Sequence, residues 1–343
     1  MGFREGDPDS TVAGRTILDA VISQEPSNPQ ALLVSGKLAL SERRFEDAER
    51  GLRQAIDQRP DWPQAHFLLG STLFLQRDFL AARAEVTRAI ELDANFTEAE
   101  RVLARIEVAL GEDERAAEIG QRALRRSPDD DQLRILVAQS LVRQGRKDEG
   151  RRVIEAIPLE RRNAEAHYAL GRIAIIDNDR AEAREHFEAG HRVDSARYEL
   201  LRALLDLDIA EKRIEESAER IRAAVRARPE DSQLTGLQGE VLLYTGDPDA
   251  SEEAFRRAIQ LNPNDLNAYS NLARYLVATG RPKEVLNNYE AALKQNPNSG
   301  VLNLILGSLH EIHSEPQKAI EAYERAVKLD PNLAVAKNNL AYL

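Results

Sequence analysis

Cysteine is absent from the chain, which excludes thiolate catalysis, cysteine-ligated metal and disulfides. That absence is compatible with any compartment. No apolar run reaches the roughly 18 residues that a membrane span requires. The start, Met1-Gly2-Phe3-Arg4-Glu5, lacks the basic segment and apolar stretch of a secretory signal. Gly6 stands where a myristoylated start wants Ser or Thr. Localisation is therefore left open, the cytoplasm being the default and the periplasm the expectation if the N-terminus is trimmed. Positive charge is in deficit: 47 basic against 58 acidic side chains give a formal charge of −11, which repels phosphate backbones and anionic lipid. Basic clusters such as Arg122, Arg125 and Arg126, or Arg151 and Arg152, are interrupted by acidic neighbours and read as solvated helix faces. Nucleic acid is not an expected partner.

Catalytic patterns are also missing. The sequence has no phosphate-cradling glycine loop, no Gly-x-Ser-x-Gly and no paired carboxylates in a pocket context. Six histidines remain. His66 and His167 fall where a helix would pack an aromatic ring. His186 and His191 are five apart, the wrong spacing for one helix face. His310-Glu311-Ile312-His313 has two residues between its histidines, where the metalloprotease helix has three. No metal, cofactor or catalytic residue is expected, and the chain does not read as an enzyme.

What the chain has is a period. Pro26, Pro60, Pro128, Pro229, Pro263, Pro297 and Pro331 keep one phase, with 34 residues between Pro229 and Pro263 and again to Pro297 and Pro331. Ala94, Arg161 and Ser195 hold the remaining stations, and the copy ending at Arg161 is one residue short. A fixed period of this length marks a stack of like supersecondary units, none of which buries its apolar face alone. Apolar residues form 42% of the chain and charged ones 31%, enough for a continuous core in a soluble body.

The copy from Asp265 to Asn298 shows the unit. Tyr269, Leu272, Ala273 and Leu276 form one apolar stripe of a helix. Gly280 ends it in the left-handed region, and Pro282 opens a second helix at its first turn. Pro248 and Pro316 occupy the same place, with Asp247 as an N-cap. Val285, Tyr289 and Ala292 carry the second stripe. Small residues recur where the two helices touch: Gly36, Gly70, Gly171, Gly239 and Gly307 on first helices, Ala48, Ala82, Ala116 and Ala319 on second helices. They let axes approach toward the short end of the usual range of about 8–10 Å. Phe187, Phe255, Tyr289 and Tyr323 supply the bulk that meets these notches.

The Leu-Gly pairs (Leu69-Gly70, Leu170-Gly171, Leu306-Gly307), the runs Ala183 to Phe187 to Gly190 and Ala319 to Tyr323 to Ala326, and the closing proline together resemble the tetratricopeptide repeat family. The resemblance implies an all-α fold, a right-handed α-solenoid superhelix of stacked antiparallel helix pairs. It divides the chain into a partial copy, 1–27, then nine copies (28–61, 62–95, 96–129, 130–162, 163–196, 197–230, 231–264, 265–298 and 299–332), then 333–343, the first helix of a tenth. Departures are visible. The early aromatic of the first helix is replaced by Leu32, His66, Glu100, Arg134, His167 or Leu201. Asp208 stands where an aromatic or Leu is usual, and Pro158 cuts a second helix short; a bend is expected in both places. Thr11–Ser23 reads as a second helix, with Gly2-Phe3 left from its partner. Leu340–Leu343 stops inside a first helix, so the chain reads as a fragment or as a body with open ends that could stack end to end on other copies.

In this family the first helices line the concave side. Carried over residue by residue, the channel-facing positions include Phe67 and Phe74, then Arg101 and Arg105, then Arg143, Tyr168 and Arg172. Arg202, Tyr244 and Arg274 continue the series, with Glu240 and Leu243 beside Tyr244. Arginine forks among aromatics suit a peptide or docked helix bearing acidic groups; the plainer alternative is that neighbouring carboxylates already pair with them. The Lys/Asn/Arg set of a clamp for a C-terminal carboxylate is absent. Asparagine occupies only Asn271 and Asn339 of the positions that form a ladder in sugar-transferring relatives.

The resemblance implies a protein–protein interaction scaffold. Arginine's excess over lysine points to a bacterial source. Runs such as Asn-Pro-Asn and Asn338-Asn339-Leu340-Ala341-Tyr342 resemble the long bacterial arrays associated with cell-envelope or exopolysaccharide export, the narrower placement this resemblance implies. Two alternatives belong to other classes: the regulatory part of a larger enzyme whose catalytic domain lies outside this chain, and a self-assembling structural protein.

Overall fold

The computed structural model describes residues 8–331 and 333–343; the expected remnant Gly2-Phe3 lies outside them. Twenty α-helices and no strand occur among the described residues. The chain forms two compact units, dividing after Asp177. The first holds α1 (Pro8–Gln24), α2 (Pro29–Ser41), α3 (Phe45–Gln58), α4 (Pro63–Leu75) and α5 (Phe79–Leu92). It continues with α6 (Thr97–Leu110), α7 (Asp113–Arg126), α8 (Asp131–Arg143), α9 (Lys147–Glu155) and α10 (Ala164–Ile176). The second holds α11 (Arg180–Val193), α12 (Tyr198–Ala210), α13 (Ile214–Ala227), α14 (Ser232–Tyr244) and α15 (Pro248–Leu261). After these come α16 (Leu266–Ala278), α17 (Lys283–Gln295), α18 (Gly300–Ile312), α19 (Pro316–Leu329) and α20 (Ala334–Tyr342).

The backbone carries its own ruler. Residues with positive φ fall at Arg43, Arg77, Gly111, Gly145, Asn178, Lys212, Gly246, Gly280 and Ser314, at steps of 34 with a single step of 33. Each sits in the turn between a first and a second helix, where one left-handed residue ends the first helix and reverses the chain. Glycine adopts this conformation without strain, whereas an ordinary L-residue there costs roughly 1–2 kcal/mol. Sheer repetition of the turn has kept it at positions held by Arg, Lys and Ser.

Helix starts are fixed by side chains. Asp130, Asn163, Asp231 and Ser299 cap α8, α10, α14 and α18, each accepting a hydrogen bond from a backbone N–H of the first turn. Asp247 accepts from the N–H of Ala250 with Pro248 at the first helical position, as expected. Pro282 differs slightly, standing just ahead of α17 with φ −63° and ψ −26°. Its ring suits that entry and its carbonyl still accepts from Val285, at 3.1 Å. α9 is shortened to 9 residues, because Pro158 forbids the final turn.

Packing follows the expected notches. Ala48, Ala82, Ala116, Ala183 and Ala319 are fully buried, as are Ala55, Ala89, Ala123, Ala258 and Ala326. A methyl group placed on Gly239 would lie 2.5 Å from the ring of Phe255, and one on Gly70 would lie 2.5 Å from Val86. Bulk on a second helix thus fills the space that glycine leaves on the first. Leu69, Leu133 and Leu141 complete the core of the first unit, and Leu205, Leu234 and Leu272 that of the second.

Candidate functional site

In the first unit the expected contact residues lie on α4, α6, α8 and α10. Phe67 and Phe74 are half-buried, because neighbouring rings cover one side of each. Phe67 meets Phe96 with 4.9 Å between centroids, and Phe74 meets Phe79 at 5.7 Å. The guanidinium of Arg105 lies over Phe74, 5.6 Å from the ring centre. Arg172 lies 5.9 Å from the ring of Tyr168, and its Nη1 donates to the phenolic oxygen at 3.3 Å. Such stacking holds the flat face of each guanidinium while leaving its edge in water. Arg105 and Arg172 are both exposed, and neither pairs with a carboxylate among the described residues.

Arg101 and Arg143 are engaged differently. Arg101 is 2.7 Å from Asp130, the residue that also caps α8. Nε of Arg143 donates to both carboxylate oxygens of Asp113, at 2.8 and 2.9 Å. Exposed apolar side chains flank the series at Leu75, Ile175 and Ile176, near the C-terminal ends of α4 and α10.

In the second unit a polar chain crosses α12, α14 and α16. Arg202 donates to Asp206 at 2.7 Å and to Glu240 at 2.5 Å. Burial pulls the Arg202 guanidinium down, but these two carboxylates more than offset it and hold it above its ordinary value. Glu240 is 9% exposed and accepts on its other oxygen from Nδ2 of Asn271 at 3.1 Å. Asn271 in turn accepts from Nη2 of Arg274 at 2.5 Å. Beside this chain lies a cleft of about 380 Å³ bounded by Leu243, Tyr244, Phe255, Asn271, Arg274 and Tyr275.

All ten expected residues therefore sit on first helices, but four of the six arginines already carry a carboxylate partner. Sequence reading missed which acids do this. Asp113 lies 30 residues before Arg143 and Asp130 stands at the start of α8, two helices on from Arg101, so only the packed register reveals them. Phe255 was legible as the filler of the Gly239 notch; its place on the cleft wall was not. His66, read as a ring-packing position, and His310 are buried, and each meets a glutamate, Glu85 and Glu315, at 2.7 Å.

Family models described as tetratricopeptide repeat match residues 33–95, 76–131, 114–173, 203–266 and 270–334. No curated protein matches the chain. Among solved structures, a tetratricopeptide repeat protein from Parabacteroides merdae is similar with a TM-score of 0.59 at 15% identity, covering 72% of this chain and 98% of that one. The APC/C hetero-tetramer Cut9–Hcn1 gives a TM-score of 0.46 at 15% identity, covering 86% and 59%. Yeast Tom70 gives 0.43 at 14%, covering 92% and 94%.

Proposed function

Because the chain belongs to the tetratricopeptide repeat family, whose repeats serve as protein-interaction scaffolds, we propose that it docks a partner peptide or helix on the exposed face of its first helices. The nine-copy division of residues 28–332 is part of this reading, supported by turn residues that recur in its phase. The observation that carries the reading is the pair of stacked, exposed guanidinium groups, Arg105 on Phe74 and Arg172 on Tyr168. A fixed fork beside an aromatic ring and a nearby exposed Leu75 or Ile176 offers hydrogen bonding and apolar contact at little further loss of freedom. Acidic groups on the partner are better served at these two arginines than at Arg101, Arg143 or Arg202, where they would compete with Asp130, Asp113, Asp206 or Glu240.

The reading is tested by placing a photo-crosslinking residue at Leu75 and at Ile176, with Arg88 and Arg125 on second helices as controls. Crosslinks to one defined partner are expected from the first pair alone. Equal crosslinking from all four positions, or none from Leu75 and Ile176, rejects the docking face.

A further inference from the structure

The cleft beside Tyr244 supports a narrower claim. Phe255 and Tyr275 form its buried wall with ring centroids 6.3 Å apart, while Leu243 and Tyr244 stand at its rim, 40% and 57% exposed. Its volume of about 380 Å³ lies toward the lower end of the roughly 300–1,000 Å³ typical of ligand pockets. Such a space suits one or two side chains rather than a folded surface. Large apolar groups gathered at the rim of a concavity, unlike isolated ones, mark a place of contact.

The polar edge of the cleft decides the chemistry. Glu240 is engaged on both oxygens, with Arg202 on one and Asn271 on the other. Asn271 is held at both ends of its amide, which fixes its orientation. Arg274 is different. Its side chain is 70% exposed, it spends Nη2 on Asn271, and it stays 3.8 Å from Glu240. Nε and Nη1 of Arg274 have no acceptor among the described residues. The cleft therefore presents apolar volume beside a solvent-facing guanidinium edge, while the carboxylate in its wall is already engaged.

We propose that this cleft takes an apolar side chain of a passing peptide, with the carboxylate of the adjoining acidic residue bonded to Arg274. The claim rests on the docking reading above and deepens it by naming what the second unit recognises. A basic neighbour is disfavoured, because Arg274 repels it and Glu240 is buried with its charge already met by Arg202.

The test uses the full chain and three probes, N-acetyl-Asp-Phe-amide, N-acetyl-Asn-Phe-amide and N-acetyl-Lys-Phe-amide, titrated by saturation-transfer NMR at low salt. The aspartyl probe is expected to bind about three- to fivefold more tightly than the asparaginyl one, the scale of an exposed ion pair, and the lysyl probe most weakly. Arg274→Gln should erase the preference, and Tyr244→Ala should weaken all three; both positions are exposed, and circular dichroism checks that the helices persist. Equal binding of the first two probes, or a preference that survives Arg274→Gln, overturns the assignment. Tighter binding of N-acetyl-phenylalanine than of the aspartyl probe also overturns it, by moving the carboxylate to a chain end. Loss of discrimination here, with crosslinks still formed from Leu75 and Ile176, rejects the cleft while leaving the docking face standing.

Discussion

Glu107 on α6 and Asp208 on α12 occupy the same station of a first helix, one in each compact unit, and both are fully buried. Their surroundings are opposite. Asp208 accepts from Ser217 at 2.6 Å and from Arg220 at 2.7 Å, and Arg184 lies 2.7 Å from its other oxygen. Among the described residues Glu107 has only Arg115 at 3.4 Å and Arg83 at 3.7 Å, and neither of its oxygens accepts a hydrogen bond there. The same station holds Leu73, Leu141 and Leu276, all buried. The repeat thus dictates volume and direction at this point, whereas polarity is decided by what the adjacent helices bring. Around Asp208 the partners are themselves largely covered, with the side chains of Arg184 and Arg220 12% and 19% exposed. Around Glu107 they reach water, Arg83 at 30% and Arg115 at 54%.

The largest effect should follow from breaking the better-satisfied site. Asp208→Ala removes the buried carboxylate shared by Arg184 and Arg220, which keep hydrogen bonds only to the more exposed Glu211 and Glu216. The expected loss is about 3 kcal/mol, the lower end for removing one partner of a buried pair. In a repeat body this is read locally, by hydrogen exchange. Faster opening of α11 to α13 is expected, with α4 to α8 unaffected; unchanged protection across residues 180–227 would sink the claim.

Alkaline pH should separate the units next. Seven of the eight tyrosines lie after Asn178, and burial pushes Tyr198, Tyr269, Tyr275, Tyr289 and Tyr323 above their ordinary value. The unfolded chain gives up these protons first, near pH 10. Their contribution is therefore fully present below that pH and is lost as pH rises toward the folded values. Exchange across α16 to α19 should accelerate above about pH 10 before that of α4 to α8, once corrected for intrinsic base catalysis. Simultaneous loosening would contradict this.

The smallest effect is expected at the other carboxylate. Glu107→Leu restores the side chain found at the sister stations and frees Arg83 and Arg115 to turn outward. The change should lie between neutral and about 2 kcal/mol of stabilisation. A loss approaching that of Asp208→Ala would mean that the longer ion pairs matter as much as the hydrogen-bonded ones.

Much of the fold was legible because its signals are local. Gly111, Gly145, Gly246 and Gly280 announce left-handed turns by residue type. Arg43, Arg77, Lys212 and Ser314 give no such signal, and only their phase betrays them. The helix-pair notches were equally readable, since Gly239 and Phe255 fall where bulk must face space. The candidate face was half legible. Its register placed Arg101, Arg143 and Arg202 on first helices, yet Asp130, Asp113 and Glu240, which pair with them, are brought near only by folding. Asp208 was visible as an oddity at an apolar station, but its partners on α11 and α13 were not. Glu107 drew no notice at all, although the same station marks it.

The docking face is most directly tested by reversing its two uncommitted cations together. Arg105→Glu with Arg172→Glu should leave helicity intact and weaken the crosslinked partner at least tenfold, while reversing Arg88 and Arg125 on second helices should leave binding within about twofold, as expected for surface charges outside a contact. Undiminished binding by the Arg105/Arg172 double variant would contradict the account.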